Sequence, residues 1–587
     1  MPKIWSRVPD CTEQANRLAV AARIPETIAA LLVARGVTTA EQAKKFLEPK
    51  LTDLRPPEEL PGCKKVAERL YAVLREKKRI TVYGDYDVDG ITGVVILYQT
   101  LCDLGAEVDY YVPSRLDEGY GLHAEAIRSL AKSGTQVLIT VDCGVASINE
   151  AALARELGVE LLITDHHNPP PVFPDAMAIA HPQLKEDEKK YPFPFLCGSM
   201  VALKVAWMLG KLVSDAPTVS PSYRRRLQEM VGLAVLGTIA DVVPLLDENR
   251  ALVHAGLQYL TPEYASVGLQ ELLSVSGFGN GKKRLDEEFV AFQLAPRLNA
   301  AGRLGQAGLA VELLIGDDRA KAMNIAREID EQNAKRKIME KEIRKTAEIQ
   351  VEAAPDDAAY VLAGDWHKGV IGIVAGRLAE KYHKPFILLA MDKMGLAPAV
   401  GSGRSIPGFN LHQAVADCAE TGLLVRFGGH DAAVGLTVEN SNIDAFRTAF
   451  RDYAANNLLS EQRTAEIFLD GNFPLGVYVQ SGETGDRAPS QMVRLLVQLA
   501  PFGNGNKRPI FEADGVMLEN VRPMGSDGSH FSANFRQGST VLRGIAFSRK
   551  EWFDSMKPYD RPLDIAFRPR ISTFNGNVEL EIVDWKR

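Results

Sequence analysis

RITVYGDYDVDG, residues 79–90, decides the reading of this chain. Ile80 to Tyr83 is a short β-favouring run. Gly84 ends it, the acids Asp85, Asp87 and Asp89 alternate directly behind, and the helical run GVVILYQTLCDLG comes next. A strand feeding through a short acidic loop into a helix opens a βαβ unit. The same grammar recurs in VDYYVP, QVLITV, ELLITD and MAIAH, with helical stretches such as SINEAALARELG between most of them. That alternation predicts a parallel sheet with crossover helices over about residues 79–245. Ligands of such sheets sit beyond the carboxyl ends of the strands.

Those ends carry chemistry. QVLITV leads into Asp142, ELLIT into Asp165-His166-His167, and LAVLGTIA, read as another strand, into Asp241. A lone aspartate after a strand is usually a helix cap, and a lone His-His pair is more often structural than catalytic. Together at successive strand ends they would place several carboxylates and two histidines on one rim. Neighbouring carboxylates repel unless a cation or proton intervenes, and an oxygen-rich site suits hard divalent ions. The inventory suits two Mn²⁺ or Mg²⁺ ions bridged by one carboxylate. An EF-hand also spaces acids by two, but its loop needs Glu at position 12, and that position counted from Asp85 is Ile96.

Outward from this centre the chain divides. Residues 1–75 read as a helical segment packing against the adjoining lobe, 76–317 as the catalytic lobe, and 318–354 as a long charged connecting helix. Met339, Ile343, Ala347 and Val351 recur in that helix at steps of four. A second α/β lobe is expected at 355–458, its strands AAYVLAGD, PFILLAM and AAVGLTV separated by glycine-rich loops. A small β-barrel is expected at 459–587, from GVMLENV, FSANFRQ, TVLRGIAF, PLDIAFRPRI and NVELEIV. Phe531, Phe535, Phe547, Phe567 and Phe574 punctuate those strands. An oligonucleotide-binding barrel can stack bases on aromatics, but core packing is the commoner fate of each one.

The size, 587 residues, agrees with about four domains. Hydrophobic residues at 46% and charged residues at 24% exclude a largely disordered or fibrous chain. The six cysteines, Cys11, Cys63, Cys102, Cys143, Cys197 and Cys418, form no CxxC pair, so a zinc knuckle is not expected and a reducing compartment is. The opening MPKIWSRVPD lacks a signal pattern, and no apolar run reaches about 18 residues. The expectation is a cytoplasmic protein with no membrane segment. The net charge of −7 weighs against a generic DNA-coating protein. Six of the acids, however, fall in the motifs above, so the sum hides an acidic rim beside a few placed arginines.

GDYDVDG, VDCG, TDHHN and GTIADVVPL resemble the four motifs of the DHH phosphoesterase superfamily, and RFGGHDAAVGLTV at 426–438 resembles the GGH signature of the associated DHHA1 domain. LNAAGRLGQA (298–307), GSGRSIPGFNLHQA (401–414) and PFGNGNKRPIF (501–511) are similar to its bacterial single-strand-specific exonuclease branch. The resemblance runs from about residue 50 to the end. It implies a parallel-sheet DHH catalytic domain and a second α/β DHHA1 domain joined by a long helix, plus a C-terminal OB-like β-barrel.

By that resemblance Asp87, Asp89, Asp142, His166 and Asp241 are metal ligands, with Asp142 bridging two Mn²⁺ or Mg²⁺ ions. His167 acts at the scissile phosphate, and Asp85 orients a ligand or water. Arg115, Arg303, Ser402 and Arg404 bind a terminal 5′-phosphate, and Gly428, Gly429 and His430 meet the substrate backbone. On the residues alone, a surface ion pair is the commoner fate of any single arginine, though the glycine context favours a phosphate role for Arg303 and Arg404, and the glycine pair reads equally as a turn between strands. His367, in GDWHKGV, also reads as a simple strand-to-helix turn. The implied activity is 5′→3′ degradation of single-stranded DNA to mononucleotides by a monomer, in recombinational and mismatch repair, with single-strand binding protein as a partner. A phosphatase or oligonucleotide phosphodiesterase acting on small substrates, and a non-catalytic DNA-binding scaffold, are the alternatives.

Overall fold

The structure, a computed structural model, describes residues 3–7, 11–186, 189–279, 285–480, 488–525, 528–572 and 575–587. In the catalytic lobe five parallel strands lie in the order Val108–Tyr111, Ile80–Gly84, Val137–Val141, Glu160–Thr164, Ala178–Ala180. Ile80–Gly84 and Val137–Val141 are buried along their whole length. A parallel strand covered by helices on both faces needs such an unbroken apolar run. Helix Val88–Asp103 packs against Gly198–Ser214 and Pro221–Ala240 to complete this core.

One expected strand is not a strand. LAVLGTIA is the last part of helix Pro221–Ala240, and Asp241 is its C-terminal cap residue. Met230 to Ile239 are all buried. A helix apolar on every side shows no 3.6-residue period, so its sequence reads like a buried strand.

Helix Arg319–Glu352 has 34 residues, a length of about 51 Å at 1.5 Å per residue. Ala322, Ile325, Ala326 and Ile329 belong to the catalytic core, whereas Ile343, Ala347 and Val351 belong to the core under the second sheet. One rod is thus a structural member of both lobes. The second sheet runs Leu424–His430, Ala433–Val438, Ala399–Arg404, Phe386–Ala390, Tyr360–Gly364. Only its last two strands are parallel. Gly401 to Arg404 and the GGH triplet lie inside strands rather than in the glycine-rich loops expected of them.

Phe511–Met524, His530–Gln537, Thr540–Ala546, Val578–Lys586 and Leu563–Ile571 close into a barrel, the last strand pairing back on the first. Phe531, Phe535 and Phe567 fill its core, while Phe547 is 44% exposed against the core reading. Phe574 lies outside the described residues.

The first 75 residues are not one helical segment. Ile4–Arg7 is a strand paired in parallel with Glu466–Leu469. Ala15, Leu18, Leu32 and Phe46 share a core with barrel-side residues such as Leu475, Tyr478 and Phe511. The catalytic core is met from about Leu51 onward, by Leu51, Leu54 and Leu60 and then by helix Cys63–Glu76 through residues such as Leu70. The apolar stripes of the early helices are legible locally, but the distant surface that covers them is not. Among the described residues no helix is long and apolar enough to cross a membrane.

Candidate metal centre and phosphate pocket

The acids and histidines converge as strand-end geometry requires. Asp85 follows Ile80–Gly84. Asp87 caps the next helix, its Oδ1 accepting the amides of Asp89 (3.0 Å) and Gly90 (3.2 Å). Asp89 is held from another element: its carboxylate accepts the amides of Gly198 (2.5 Å) and Ser199 (2.9 Å) at the start of helix Gly198–Ser214. A Cβ on Gly198 would stand 2.6 Å from Asp142 Cβ, so this helix start reaches the acids only without a side chain. Asp142 follows Val137–Val141 in a left-handed conformation, φ +63°.

His166 Nε2 stands 3.0 Å from Asp142 Oδ1, 3.7 Å from Asp241 Oδ2 and 3.8 Å from Asp89 Oδ2. Three overlapping triads have ligand atoms within 4.8 Å of one another: Asp142–His166–His167, Asp89–His166–Asp241 and Asp85–Asp87–Asp142. Asp142 and His166 each belong to two. Every expected metal ligand is therefore in this cluster, together with Asp85 and His167. Asp165 is not. Its Oδ1 accepts the His166 and His167 amides and His167 Nδ1–H (2.8 Å), and its Oδ2 accepts the Val145 amide (2.9 Å). The first letter of the triplet orients the other two.

The electrostatics are those of a cation site. Burial, and then the neighbouring carboxylates, push Asp85, Asp87 and Asp142 above the usual carboxylate range and Asp241 up to about 9. Burial, then His167, lowers His166 to about 4, which keeps it neutral and able to ligate. His167 goes the other way: burial is the largest single influence and opposes its charge, but the bond to Asp165 and the negative charges of Asp165, Asp241 and Asp85 together outweigh it and raise the group to about 9. Asp85 Oδ1, Asp142 Oδ1 and His166 Nε2 are buried with no hydrogen-bond partner. Buried polar atoms left unpaired are costly. Three of them facing one acidic space fit divalent ions.

The arginines form a second feature at the seam between lobes. Arg115 stacks on the Tyr86 ring, 4.9 Å from its centroid. Arg303, near the end of helix Ala295–Arg303, donates to the Gly369 carbonyl of the second lobe at 3.2 Å. Arg404 donates to Ser402 Oγ at 3.2 Å. Burial, then the positive charge of Arg115, Arg336 and Arg404, lowers Arg303 to about 9. Burial and then Arg115 lower Arg404 as well. Several guanidinium groups crowded into one partly buried space form a ready anion site. Lys368 donates to the Leu116 carbonyl, which closes the seam. His367 Nδ1 accepts the Gly369 amide at 3.1 Å, a tight turn that presents Gly369 to Arg303.

Gly428, Gly429 and His430 lie elsewhere, on the exposed edge strand Leu424–His430. No hydrogen bond or ion pair joins them to the metal cluster among the described residues. Gly429, at φ +134°, brings its backbone close to Ala433: a Cβ there would lie 2.3 Å from the Ala433 carbonyl oxygen.

Motif reading missed several supports. Tyr120 Oη contacts His167 Nδ1 at 2.9 Å and the Asp142 carbonyl at 3.3 Å. His181 and Gln183 donate to the carbonyls of His167 and His166. Asn299 Oδ1 accepts the Val88 amide at 3.2 Å. Asn299 sits in a glycine-rich segment, a signal for close approach. The others carry none, because each acts only through contacts with residues distant in sequence.

A parallel sheet carrying this acid–histidine rim, tied by one helix to a second α/β lobe, defines a DHH-domain protein. Residues 79–238 match the DHH family N-terminal domain, 356–456 the DHHA1 domain, and 486–584 the RecJ OB domain. The chain belongs to the RecJ family. It is 37% identical to the single-stranded-DNA-specific exonuclease RecJ of Bacillus subtilis (strain 168), over 98% of this chain and 69% of that one. Its fold superposes on RecJ from Thermus thermophilus in complex with Mn²⁺, with a TM-score of 0.80, 31% identity, and coverage of 100% of this chain and 79% of that one. The Mg²⁺ complex of the Thermus protein matches with a TM-score of 0.75 and 30% identity, over 100% and 78% of the two chains.

Proposed function

We propose that this protein is a metal-dependent exonuclease that degrades single-stranded DNA from its 5′ end. The observation that carries the reading is the pairing of two sites at one seam: a carboxylate–histidine cluster with orphaned buried donors, and a partly buried arginine pocket. The relatives named as single-stranded-DNA-specific exonucleases support it.

Asp87, Asp89, Asp142, His166 and Asp241 would hold two divalent ions, Mn²⁺ or Mg²⁺, with Asp142 between them. Bound ions supply charge neutralisation and activation of water at the phosphodiester. The chain does the rest. Asp85 carries an unpaired buried oxygen beside the cluster and orients what binds there. His167 is fixed by Asp165 through Nδ1, a pairing that favours its charged form, so its remaining ring N–H would donate to the scissile phosphate. Arg115, Arg303, Ser402 and Arg404 hold the terminal phosphate, which fixes polarity: cleavage one nucleotide in from an anchored 5′ end releases mononucleotides. Gly428, Gly429 and His430 meet the strand on the facing lobe. On the barrel, Phe547 is exposed beside Arg570 (5.4 Å) and His530 (5.5 Å), a surface suited to base stacking.

The complete donor set argues against a non-catalytic scaffold. The test is digestion of 5′- and 3′-labelled single strands and blunt duplexes with Mn²⁺ or Mg²⁺. Mononucleotides should appear from the 5′ label of single strands alone. Equal digestion of duplex, or a preference for dinucleotides over long strands, overturns the reading.

A further inference from the structure

Resting on that reading, we propose that the cleft beside Asp241 is a base-binding subsite that takes one unpaired nucleobase of the bound strand. Its volume is about 430 Å³, within the range of small-ligand sites, about 300–1,000 Å³. Val242, Phe292 and Asn299 of the catalytic lobe line it, with Arg336 of the linking helix, Ile373 of the second lobe and Phe502 of the segment before the barrel.

Two wall residues are poor choices for a scaffold. Phe292 is 70% exposed and Val242 63% exposed. Val242 also sits at φ +60°, a conformation that costs a β-branched residue free energy. Asn504 holds the turn from the barrel side: its Nδ2 donates to the Val242 carbonyl at 3.0 Å, and its own carbonyl accepts the Leu245 amide at 2.8 Å. A strained turn thus presents an apolar side chain to open space in a cleft that an exposed phenylalanine also lines. Internal packing does not account for this. A planar apolar ligand does.

Position identifies the ligand. Ala240 and Val242 flank Asp241 of the metal cluster, and Arg303 belongs both to the cleft and to the phosphate pocket. Asn299 commits its carbonyl to the Val88 amide, next to Asp87, which leaves its NH₂ group for a ligand. Arg336 is fixed by Asn333 and Glu340 on its own helix. A strand with phosphates at the arginines and the acids would have to place its bases beside them. Arg303, Arg336, Glu287 and Glu288 line part of the cleft, but the stretch formed by Val242, Phe292, Ile373 and Phe502 is apolar, offers a phosphate no partner and admits a base, whose ring stacks on Phe292. A base still stacked and paired in a duplex has no free face to offer, so the subsite itself selects single strands.

The test scans 2-aminopurine one position at a time from the 5′ end of an otherwise constant strand, with the full chain and with EDTA to prevent cleavage. The fluorescence should be quenched at one position. Phe292→Ala should abolish that quenching and Phe292→Trp should retain it, and the alanine variant should raise KM for the strand about tenfold, the scale of one base–aromatic stack, at unchanged Mn²⁺ affinity. The side chain is exposed, so both variants fold. Unaltered quenching in Phe292→Ala, or quenching at no position, overturns the subsite. Wild-type protein that releases no nucleotides from single strands overturns the activity itself, which keeps the two failures distinct.

Discussion

His166 Nε2 faces Asp142 Oδ1 across 3.0 Å, and both atoms are buried without a hydrogen-bond partner among the described residues. Two ligand atoms aimed into one space, neither satisfied by protein, are arranged around a cation. Asp142→Asn should lower Mn²⁺ affinity by about 100-fold or more, beyond the effect of losing an outer-shell contact. It should also raise the melting temperature of the metal-free protein, because one of several crowded like charges is gone. Titration calorimetry and thermal unfolding check both. Wild-type affinity in this variant would remove Asp142 from the centre.

The same crowding fixes a pH dependence. Asp241 is raised to about 9 in the folded protein, chiefly by burial and then by Asp89 and Asp87, against about 3.9 unfolded. The folded state therefore holds the proton that the unfolded state releases. By linkage, the stabilisation is present below about pH 4 and is lost as pH rises towards about 9. Metal-free protein should melt at progressively lower temperature across that window, and saturating Mn²⁺ should flatten the profile. A flat profile without metal contradicts the assignment.

Asn504 reaches from the barrel side to the turn behind Asp241. Gly503 lies so close that a Cβ there would stand 2.8 Å from Leu245 Cδ1. Asn504→Ala frees the strained Val242 carbonyl and should weaken Mn²⁺ binding about 10- to 100-fold, the range for supports of a metal ligand. Val242→Gly, which relieves the strain, should make the protein less sensitive to the loss of Asn504. Additive effects in the double variant would show the two positions to be independent.

In the proposed reading Arg404 and Ser402 are the second lobe's share of the phosphate pocket. Arg404→Ala should slow digestion of 5′-phosphorylated strands about 10- to 100-fold, the value of a charge-assisted contact, and leave 5′-hydroxyl strands almost unchanged. An equal loss on both ends places Arg404 outside the pocket.

Arg250 joins three parts of the chain. Its guanidinium donates to the carbonyls of Phe46 (2.8 Å), Leu499 (3.0 Å) and Ala500 (2.8 Å) and lies 3.7 Å over the Phe46 ring. Arg250→Met should cost about 3 kcal/mol, because buried carbonyls lose their donor, and should separate barrel unfolding from that of the catalytic lobe. A single unshifted transition speaks against this linkage.

Much of the centre is legible in the sequence. Asp85, Asp87 and Asp89 are contiguous with the strand that precedes them, as are Asp142 and the triplet at 165–167. A local rule about strand ends therefore places them on one rim. The long helix announces itself by its charge and by the four-residue steps of Ile343, Ala347 and Val351. Asp241 stands out by its motif but is assigned to the wrong element, because a helix buried on all sides hides its period. Phe547 reads as core but lies in the turn just past strand Thr540–Ala546, where the alternation of strand faces no longer decides burial.

What the sequence determined by itself is the chemistry: which side chains, in which order, at the ends of which strands. Only tertiary structure decided how they are held. Gly198 and Ser199 clamp Asp89 from 109 and 110 residues away, Asn299 reaches Val88 across 211, and Asn504 grips Val242 across 262. Arg303 meets Gly369 of the other lobe across 66. Each is a single hydrogen bond whose partner is chosen by the packing of whole elements, and no window of sequence contains both ends.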